Sequence, residues 1–278
     1  MTIGIVGLGL IGGSMAKSIK QRTQHKVLGI DLNPQAVSMA LMSGAIDEKL
    51  TDERLCECDI VMPAINPSAT IAWGDEKAGL LSKSCIVIDL CGVKRGICSH
   101  FKSLAAQYGF SYVGGHPMAG KECSGFTNAD AELFSGASMI LTPDETAEPT
   151  TLEMLKQLFL DIGFKDITFS TPSEHDRIIA YTSQLAHITS SAYVKSPFAQ
   201  KRMGFSAGSF NDMTRVARLD EELWTELFIE DRDFLTDELE ILIGNLTDYL
   251  KALKSGDSAL LKELLKDGRL KKESTGGR

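Results

Sequence analysis

Short apolar runs alternate with longer helical stretches through the first part of the chain. The runs are rich in isoleucine, valine and leucine and are mostly bounded by glycine, proline, asparagine or aspartate, which predicts buried strands. Seven such runs lie at residues 3–6, 26–30, 59–63, 85–89, 111–114, 138–141 and 166–169, and a turn at 44–47 precedes a further short strand. Residues 14–21 and 149–163 are predicted helices between them. This alternation predicts a doubly wound α/β sheet.

The period of the apolar residues changes after the last predicted strand. Ser173 and the acidic residues that follow it predict the N-terminus of a helix that runs toward Tyr193. In the C-terminal part, apolar residues recur at spacings of three and four at Leu235, Leu239, Leu242, Leu246, Tyr249 and Leu253. Such a seam packs against another helix, either inside a bundle or across a subunit interface. We therefore predict an α/β domain at residues 1–170 and an all-α domain at residues 171–278.

The composition is that of an ordinary globular protein, and it argues against several kinds of partner. Hydrophobic residues make up 43% of the chain, and the net charge of -8 disfavours nucleic acid, whose binding needs a clustered basic surface. No apolar stretch approaches the length of a membrane span, and the sequence from Ile3 resembles a strand rather than a signal peptide. The six cysteines form no CxxC pair, which predicts reduced thiols in a cytoplasmic protein and no metal site.

A glycine-rich turn joins the first predicted strand to the first predicted helix. It contains Gly7-Leu-Gly9-Leu-Ile-Gly12, the GxGxxG pattern of Rossmann-type dinucleotide-binding domains. The first glycine permits the tight turn, the second lets a pyrophosphate approach the backbone, and the third lets the helix pack closely on the strand. The helix N-terminus then faces the phosphates. We predict a cofactor site that includes Gly7, Gly9, Leu10, Ile11 and Gly12.

Asp31 ends the second predicted strand, nineteen residues after Gly12. A carboxylate at this spacing accepts hydrogen bonds from the adenosine ribose and repels a 2′-phosphate. No arginine follows it in Leu32-Asn33-Pro34, so NAD is predicted rather than NADP. The alternative is that Asp31 only caps the helix that begins near Pro34. Asn66 follows the strand at 59–63, at the edge where open α/β sheets bind ligands, and is also assigned to the cofactor.

Residues 114–125, GGHPMAGKECSG, place His116 in a loop rich in glycine and small residues between the two predicted domains. Histidine suits a proton acceptor because its unperturbed pKa lies closest to neutral pH. The helical part offers a second histidine, His187, and an arginine, Arg215, whose planar guanidinium can bind both oxygens of a carboxylate. Taken alone, each of these is more often an ordinary polar residue, and only their combination predicts an active site.

Five segments together resemble the TyrA family of prephenate and arogenate dehydrogenases. In chain order they are GLGLIGGS, Asp89 to Lys94, GGHPMAGKECSG, SQLAHI and FNDMTRVA. HPMAG and DMTR are the specific parts, whereas many other enzymes share the glycine fingerprint. The resemblance covers nearly the whole chain and implies a Rossmann-type domain followed by a helical domain for substrate binding and dimerisation.

The resemblance implies the NAD-dependent oxidative decarboxylation of prephenate to 4-hydroxyphenylpyruvate, CO2 and NADH, a step of tyrosine biosynthesis. In that family a histidine at the position of His116 accepts the hydroxyl proton, and an arginine at the position of Arg215 binds carboxylate. Glu122 matches a glutamate that gates the site through this arginine. His187 matches a histidine near the substrate's side chain, and Trp224 matches an aromatic residue of the pocket. A homodimer formed through the helical domain is also implied.

Two positions depart from the family pattern, and one bears on the choice of substrate. Many bacterial members have a serine where this chain has Gly92, and many have a basic residue where it has Asn211. Members that prefer arogenate can carry an acid just before the Ser-Gln pair that ends at Gln184, but here that residue is Thr182. Because the ammonium group of arogenate favours a nearby carboxylate, prephenate is predicted over arogenate. The residues assigned to the substrate are Gly92, Thr182, Gln184, His187, Arg215 and Trp224.

Two other functions stay open at this point. A β-hydroxyacid dehydrogenase shares the two-domain plan but normally uses a catalytic lysine of the helical domain, for which Lys195 and Lys201 are available. Neither lysine lies in a glycine-rich segment that would recommend it. The other alternative is an NAD-binding regulator without catalytic activity, which the presence of both His116 and Arg215 disfavours.

Overall fold

The computed structural model describes residues 1–205 and 208–276. The chain divides into two compact units, Met1–Asp231 and Arg232–Arg278. The domain boundary predicted near residue 170 lies inside the first unit and stays a prediction.

The first unit is built on one eight-stranded sheet. Its strand order is β3-β2-β1-β4-β5-β6-β7-β8, which contains the 3-2-1-4-5-6 order of Rossmann folds. Neighbouring strands are parallel except for β6 and β7, which are antiparallel. The strands are β1 (Thr2–Val6), β2 (Lys26–Ile30), β3 (Glu48–Lys49), β4 (Ile60–Pro63), β5 (Ile86–Asp89), β6 (Ser111–Pro117), β7 (Ser138–Thr142) and β8 (Asp166–Phe169). The predicted sheet is confirmed.

Helices α1 to α5 cover the two faces of this sheet, and helices α6 to α9 follow the last strand in the chain. They are α1 (Leu10–Arg22), α2 (Pro34–Met42), α3 (Pro67–Lys77), α4 (Arg95–Tyr108), α5 (Pro149–Asp161), α6 (Pro172–Ile179), α7 (Leu185–Tyr193), α8 (Gly208–Thr214) and α9 (Glu221–Glu230). A π-helical turn, Ala180–Gln184, joins α6 to α7, so that the predicted helix does extend to Tyr193.

The core lies on the two faces of the sheet because successive strand residues point in opposite directions. On β1, Ile3 and Ile5 pack with residues of α1, α2 and α5 on one face, whereas Val6 belongs to the cluster on the other face. On β5, Ile88 faces the first cluster and Val87 packs with residues of α4. Burial on both faces explains why these strands are continuous apolar runs in the sequence.

The prediction of Ser173 as a helix N-cap was wrong. Helix α6 begins at Pro172, and its N-cap is Thr171, whose hydroxyl accepts a hydrogen bond from the Glu174 N–H. Proline suits the first helical position because its missing N–H would have no partner there, so the cap falls one residue before it. Ser173 is therefore already inside the first turn.

The second unit consists of α10 (Arg232–Ser255) and α11 (Ser258–Ser274). Gly256, with φ 66°, and Asp257 turn the chain between them, and the Asp257 carboxylate caps α11. The predicted seam is buried at Leu235, whereas Leu246 and Leu253 are 56% and 63% exposed. The C-terminal part of the seam therefore presents an apolar surface to solvent.

The described residues carry three further features. All six cysteines are free thiols. Among residues 1–205 and 208–276, no helix is both long and apolar enough to cross a membrane. No cluster of three or more side chains suited to a metal ion occurs in the same ranges.

Candidate active site

The glycine turn after β1 has the geometry that its sequence predicts. Gly7 adopts φ 90°, a conformation that favours glycine, and its N–H donates to the Ile30 carbonyl. A Cβ at Gly12 would lie 1.9 Å from the Gly7 carbonyl oxygen, so only glycine fits where α1 meets the strand. A Cβ at Gly9 would meet no atom of the described residues within 4 Å. The backbone at the N-terminus of α1 is therefore open to an approaching pyrophosphate.

Asp31 holds the same turn from the end of β2. Its Oδ2 accepts from the Leu8 N–H at 2.7 Å, and its Oδ1 accepts from the Asn33 N–H at 2.7 Å. The side chain of Asn33, rather than that of Asp31, caps α2. The alternative in which Asp31 only caps α2 is therefore wrong. The Asp31 carboxylate lies beside the glycine turn, where a ribose hydroxyl can donate to a remaining lone pair of the carboxylate.

Asn66 occupies the N-cap position of α3, directly after β4. Its side chain makes no capping hydrogen bond and is exposed. The free amide therefore lies at the C-terminal edge of the sheet, where a bound dinucleotide can reach it. Together, the glycine turn, Asp31 and Asn66 fit a dinucleotide.

His116 is the penultimate residue of β6 and lies at the same edge of the sheet. It is close to Gly92, which follows β5: a Cβ built on Gly92 would lie 3.9 Å from His116 Nε2. The same Cβ would lie 3.5 Å from Leu227 Cδ2 of α9. Gly92 therefore leaves a gap between the imidazole and an apolar helix face, and this gap is where the family pattern has a serine side chain.

The imidazole of His116 is an uncharged base at neutral pH. Burial, the neighbouring His175 and the buried Lys94 ammonium hold its pKa well below the ordinary value of 6.5. A neutral imidazole has one free lone pair and can accept a proton. These are the properties that a proton acceptor needs, and the role predicted for His116 stays a prediction.

Two buried residues behind His116 were missed by the sequence reasoning. His116 Nδ1 lies 2.8 Å from His175 Nε2, and His175 Nδ1 lies 2.7 Å from Asp176 Oδ1. His175 and Asp176 are 2% and 1% exposed. They lie in the N-terminal half of α6, where the sequence suggested only a helix start. A histidine followed by an aspartate at a helix start was the one available signal.

A buried ion pair lies beneath this edge of the sheet. Lys94 Nζ contacts Asp89 Oδ1, and neither side chain is exposed. The other Asp89 oxygen accepts from the Tyr112 hydroxyl at 2.6 Å. Although burial lowers it, the pKa of Lys94 is raised overall by Asp89, so the lysine remains charged and fixes the chain between β5 and α4.

Arg215 and Glu122, both predicted site residues, form an ion pair. Arg215 Nη1 donates to Glu122 Oε1, and the two side chains are 68% and 37% exposed. Arg215 follows α8, and Glu122 lies six residues beyond His116. The pair therefore brings the predicted carboxylate-binding residue onto the loop that carries the predicted base.

His187 and Trp224 pack against each other. Their ring centroids are 3.9 Å apart at 71°, and His187 Nδ1 donates to the Val216 carbonyl. Burial lowers the pKa of His187, which is therefore neutral and has a free lone pair on Nε2. Trp224 lies one helical turn before Leu227, the residue that faces Gly92. Helix α9 thus connects this pair to the surroundings of His116.

The remaining predicted residues, Thr182, Gln184, Lys195 and Lys201, follow α6 in the chain. The Thr182 hydroxyl donates to the Ile178 carbonyl of its own helix, and the side chain is exposed. Gln184 is 2% exposed, and its Oε1 has no hydrogen-bond partner among the described residues. Both lie in the π-helical turn, and their contact with substrate stays a prediction. Lys195 and Lys201, the candidate lysines of a β-hydroxyacid dehydrogenase, are exposed.

Comparison with known families assigns both parts of the chain. Residues 15–168 match the family described as "Prephenate dehydrogenase, nucleotide-binding domain". Residues 171–267 match the one described as "Prephenate dehydrogenase, dimerization domain".

Individual relatives agree with these matches. The prephenate dehydrogenase of Bacillus subtilis is 30% identical over 86% of this chain, and the chain spans 66% of that relative's length. The crystal structure of Aquifex aeolicus prephenate dehydrogenase with hydroxyphenyl propionate and NAD+ has a TM-score of 0.85 at 27% identity, covering 99% of this chain and 98% of the other. That of Synechocystis arogenate dehydrogenase has a TM-score of 0.82 at 25% identity, covering 99% and 100%.

The fold, the glycine turn with Asp31, and the matches along both parts of the chain agree with one another. NAD is the cofactor that the nucleotide-binding domain and the NAD-bound relative support. The chain belongs to the prephenate dehydrogenase family.

Proposed function

We propose that this chain catalyses the NAD-dependent oxidative decarboxylation of prephenate, with His116 as the proton acceptor. The observation that carries the proposal is a neutral imidazole whose Nε2 faces the gap at Gly92, on the sheet edge that also holds the dinucleotide turn. The family matches and the relatives support the enzyme class and the cofactor.

The chemistry assigns a clear task to His116. When bound, NAD supplies an acceptor for the hydride of the ring carbinol carbon. As this carbon becomes electron-poor, His116 Nε2 takes the proton of its hydroxyl group, so that a carbonyl can form. The ring carboxylate then leaves as CO2, and the ring becomes aromatic as 4-hydroxyphenylpyruvate. General-base assistance of this kind contributes about 10²- to 10⁴-fold to a rate.

Arg215 is proposed to bind a substrate carboxylate in place of Glu122. Its guanidinium is bound to the Glu122 carboxylate in the structure, and a substrate carboxylate can bind the same planar group in its place. Glu122 therefore competes with the substrate for the arginine and releases it when substrate enters. His187 and Trp224 are proposed to line the side-chain end of the pocket.

Prephenate is proposed over arogenate as the preferred substrate. The two differ in a ketone and an ammonium group on the side chain, and an ammonium group needs a carboxylate partner. The neutral His187 and the hydroxyl of Thr182 provide no such charge. Arogenate is the second candidate, since an arogenate dehydrogenase shares the fold over the whole chain.

A homodimer in the cytoplasm is proposed as the working form. The second unit presents an exposed apolar face that includes Leu246 and Leu253, and the dimerization-domain match covers it. Leu246→Asp is expected to shift the mass measured by light scattering toward the monomer, with the exposed Glu263→Asp as control. A monomeric wild type would contradict the dimer.

The free cysteines agree with a reducing compartment.

The deciding experiment measures NADH formation with prephenate, arogenate and a panel of 3-hydroxy acids. Wild type is expected to turn over prephenate fastest, and His116→Asn to lower kcat by about 10²- to 10⁴-fold. His100→Asn is the matched control, because His100 is a partly exposed histidine paired with Asp75 on the surface. Turnover of the 3-hydroxy acids alone, or full activity of His116→Asn, would refute the proposal.

A further inference from the structure

Asp176 is held as a carboxylate by the N-terminus of a helix from another part of the unit. Its Oδ1 accepts from the Lys94 N–H at 2.8 Å, and its Oδ2 accepts from the Arg95 N–H at 2.9 Å. Arg95 Nε also donates to Oδ2 at 3.3 Å. These groups begin α4, so the helix dipole favours a negative charge at this point. Although burial raises it, the pKa of Asp176 is lowered overall by His175 and by these backbone N–H groups.

An ionised Asp176 fixes the proton positions of both histidines. A carboxylate only accepts hydrogen bonds, so His175 must carry its proton on Nδ1 to donate to Asp176 Oδ1. In a neutral His175, Nε2 is then a lone pair, and the 2.8 Å contact requires a proton on His116 Nδ1. It follows that Nε2 of a neutral His116 is unprotonated. This is the nitrogen that faces the gap at Gly92.

We propose that His175 and Asp176 are positioning residues that hold His116 in the tautomer able to accept the substrate's hydroxyl proton. This inference rests on the proposed function, because it concerns the same proton transfer. In that step the O–H bond of the substrate breaks and an N–H bond forms at His116 Nε2. No other proton needs to move. The imidazolium that results donates through Nδ1 to His175, whose own donor is bound to the Asp176 charge.

The charges around the histidines explain why a carboxylate is needed there. Lys94 lowers the pKa of both His116 and His175, and its ammonium is paired with Asp89. Arg95 adds a further positive charge beside Asp176 and also contacts Asp231. Without Asp176, the imidazolium at His116 would form in a buried site near the Lys94 ammonium and without the carboxylate that accepts from His175, which a low-dielectric interior disfavours.

The first test observes the tautomers directly and does not depend on turnover. In protein labelled with ¹⁵N at histidine, NMR distinguishes protonated from unprotonated ring nitrogens, and the signals are assigned by their loss in His116→Asn and His175→Gln. We expect His116 to carry its proton on Nδ1 at neutral pH in wild type. In Asp176→Asn the amide oxygen at the position of Oδ2 keeps both donors of Arg95, its N–H and its Nε, and the NH2 group then takes the position of Oδ1 and faces His175. Both tautomers should then invert. A proton on His116 Nε2 in wild type would overturn the proposal.

The second test separates positioning from general stability. Asp176→Asn is expected to lower kcat for prephenate by about 10²- to 10⁴-fold with an unchanged KM, since inverting a histidine tautomer costs up to about 10⁴-fold in histidine–carboxylate pairs of hydrolases. His175→Gln retains an amide oxygen that can accept from His116 Nδ1, so it should keep more activity than His175→Phe. His100→Gln serves as the control that leaves kcat unchanged.

The outcomes distinguish the inference from the proposed function. If wild type does not turn over prephenate, the proposed function fails, while the NMR experiment still decides the tautomer. If wild type is active but the two His175 variants and Asp176→Asn retain its kcat, the positioning role is refuted. It is equally refuted if His175→Gln and His175→Phe lose activity to the same extent, because the acceptor at this position would then not matter.

Discussion

Replacing each partner of the Arg215–Glu122 ion pair should change substrate affinity in opposite directions. In the structure the guanidinium is bound to Glu122, and in the proposed function a substrate carboxylate displaces that partner. Arg215→Gln removes the charge that would bind the substrate. Glu122→Gln leaves the arginine in place but removes its internal competitor. Arg215→Gln therefore removes the group that binds the substrate carboxylate, whereas Glu122→Gln, which keeps the size of the side chain, removes the group that competes with it.

The exposure of the pair sets the size of the effect. Arg215 is 68% and Glu122 37% exposed, so the pair contributes about 0.2–1 kcal/mol, as exposed ion pairs do. A charged hydrogen bond between arginine and a substrate carboxylate in a closed pocket contributes about 1.5–3 kcal/mol. The net loss for Arg215→Gln is the difference, about 0.5–2.8 kcal/mol, or about a 2- to 115-fold rise in KM. Glu122→Gln should lower KM by about 1.4- to 5-fold.

Steady-state NADH formation and calorimetry measure these changes. KM for prephenate and Kd for the product 4-hydroxyphenylpyruvate are determined for wild type, both single variants and the double variant. If Glu122 acts only through Arg215, Glu122→Gln has no effect once Arg215 is replaced. Lys121→Gln is the matched control, because Lys121 forms an exposed ion pair with Asp130 on the same loop.

Two results would refute this account of the pair. An unchanged KM and Kd in Arg215→Gln would show that the arginine does not bind the substrate carboxylate. A rise in KM for Glu122→Gln that persists in the double variant would show that the glutamate contacts the substrate itself.

Three further outcomes are expected. Gly12→Ala places a Cβ 1.9 Å from the Gly7 carbonyl oxygen, so the free energy of unfolding should fall by about 1–3 kcal/mol. The Kd for NAD, measured by calorimetry, should rise. An unchanged Kd would contradict the assignment of the turn to the cofactor. Gly92→Ser places a Cβ at ordinary contact distance, 3.9 Å from His116 Nε2, so Tm should not change. The added hydroxyl should lower KM for prephenate by about 2- to 10-fold. A clear fall in Tm would show that the gap at Gly92 is absent. Burial lowers the pKa of His116 and His175 in the folded state, so below about pH 6.5 the unfolded chain binds more protons than the folded chain. As the pH decreases below this value, the free energy of unfolding should fall by up to about 1.4 kcal/mol for each pH unit and each histidine. Urea unfolding at about pH 7 and about pH 5 should give a shallower pH dependence for His175→Gln than for wild type; equal dependences would contradict a lowered pKa of His175.

Local sequence signals were sufficient wherever one backbone conformation or one face pattern determined the residue. The glycine turn could be predicted because Gly7 needs a positive φ and Gly12 has no room for a Cβ. The strands could be predicted because burial on both faces demands continuous apolar runs. The N-cap of α6 was placed wrongly at Ser173, since threonine and serine both suit a cap and only the position of Pro172 at the helix start distinguishes them.

The role of Asp31 shows a second limit. Its spacing from Gly12 indicated a carboxylate at the ribose, but spacing does not report what else the side chain binds. In the structure it accepts backbone N–H groups from Leu8 and Asn33. The residue therefore shapes the cofactor turn as well as facing it, and this contact depends on how β1 and β2 pair.

By itself, the sequence determined the strand and helix pattern, the dinucleotide turn and the family, and it predicted His116 as the base, because short segments of the chain carry each of these signals. Only the tertiary structure supports the proposal about which nitrogen of His116 is free. That choice depends on His175 and Asp176, which lie 59 and 60 residues further along the chain, and on the backbone N–H groups of α4 that bind Asp176. The direction of a hydrogen bond between two imidazoles is set by the whole network of donors and acceptors, and folding alone brings that network together.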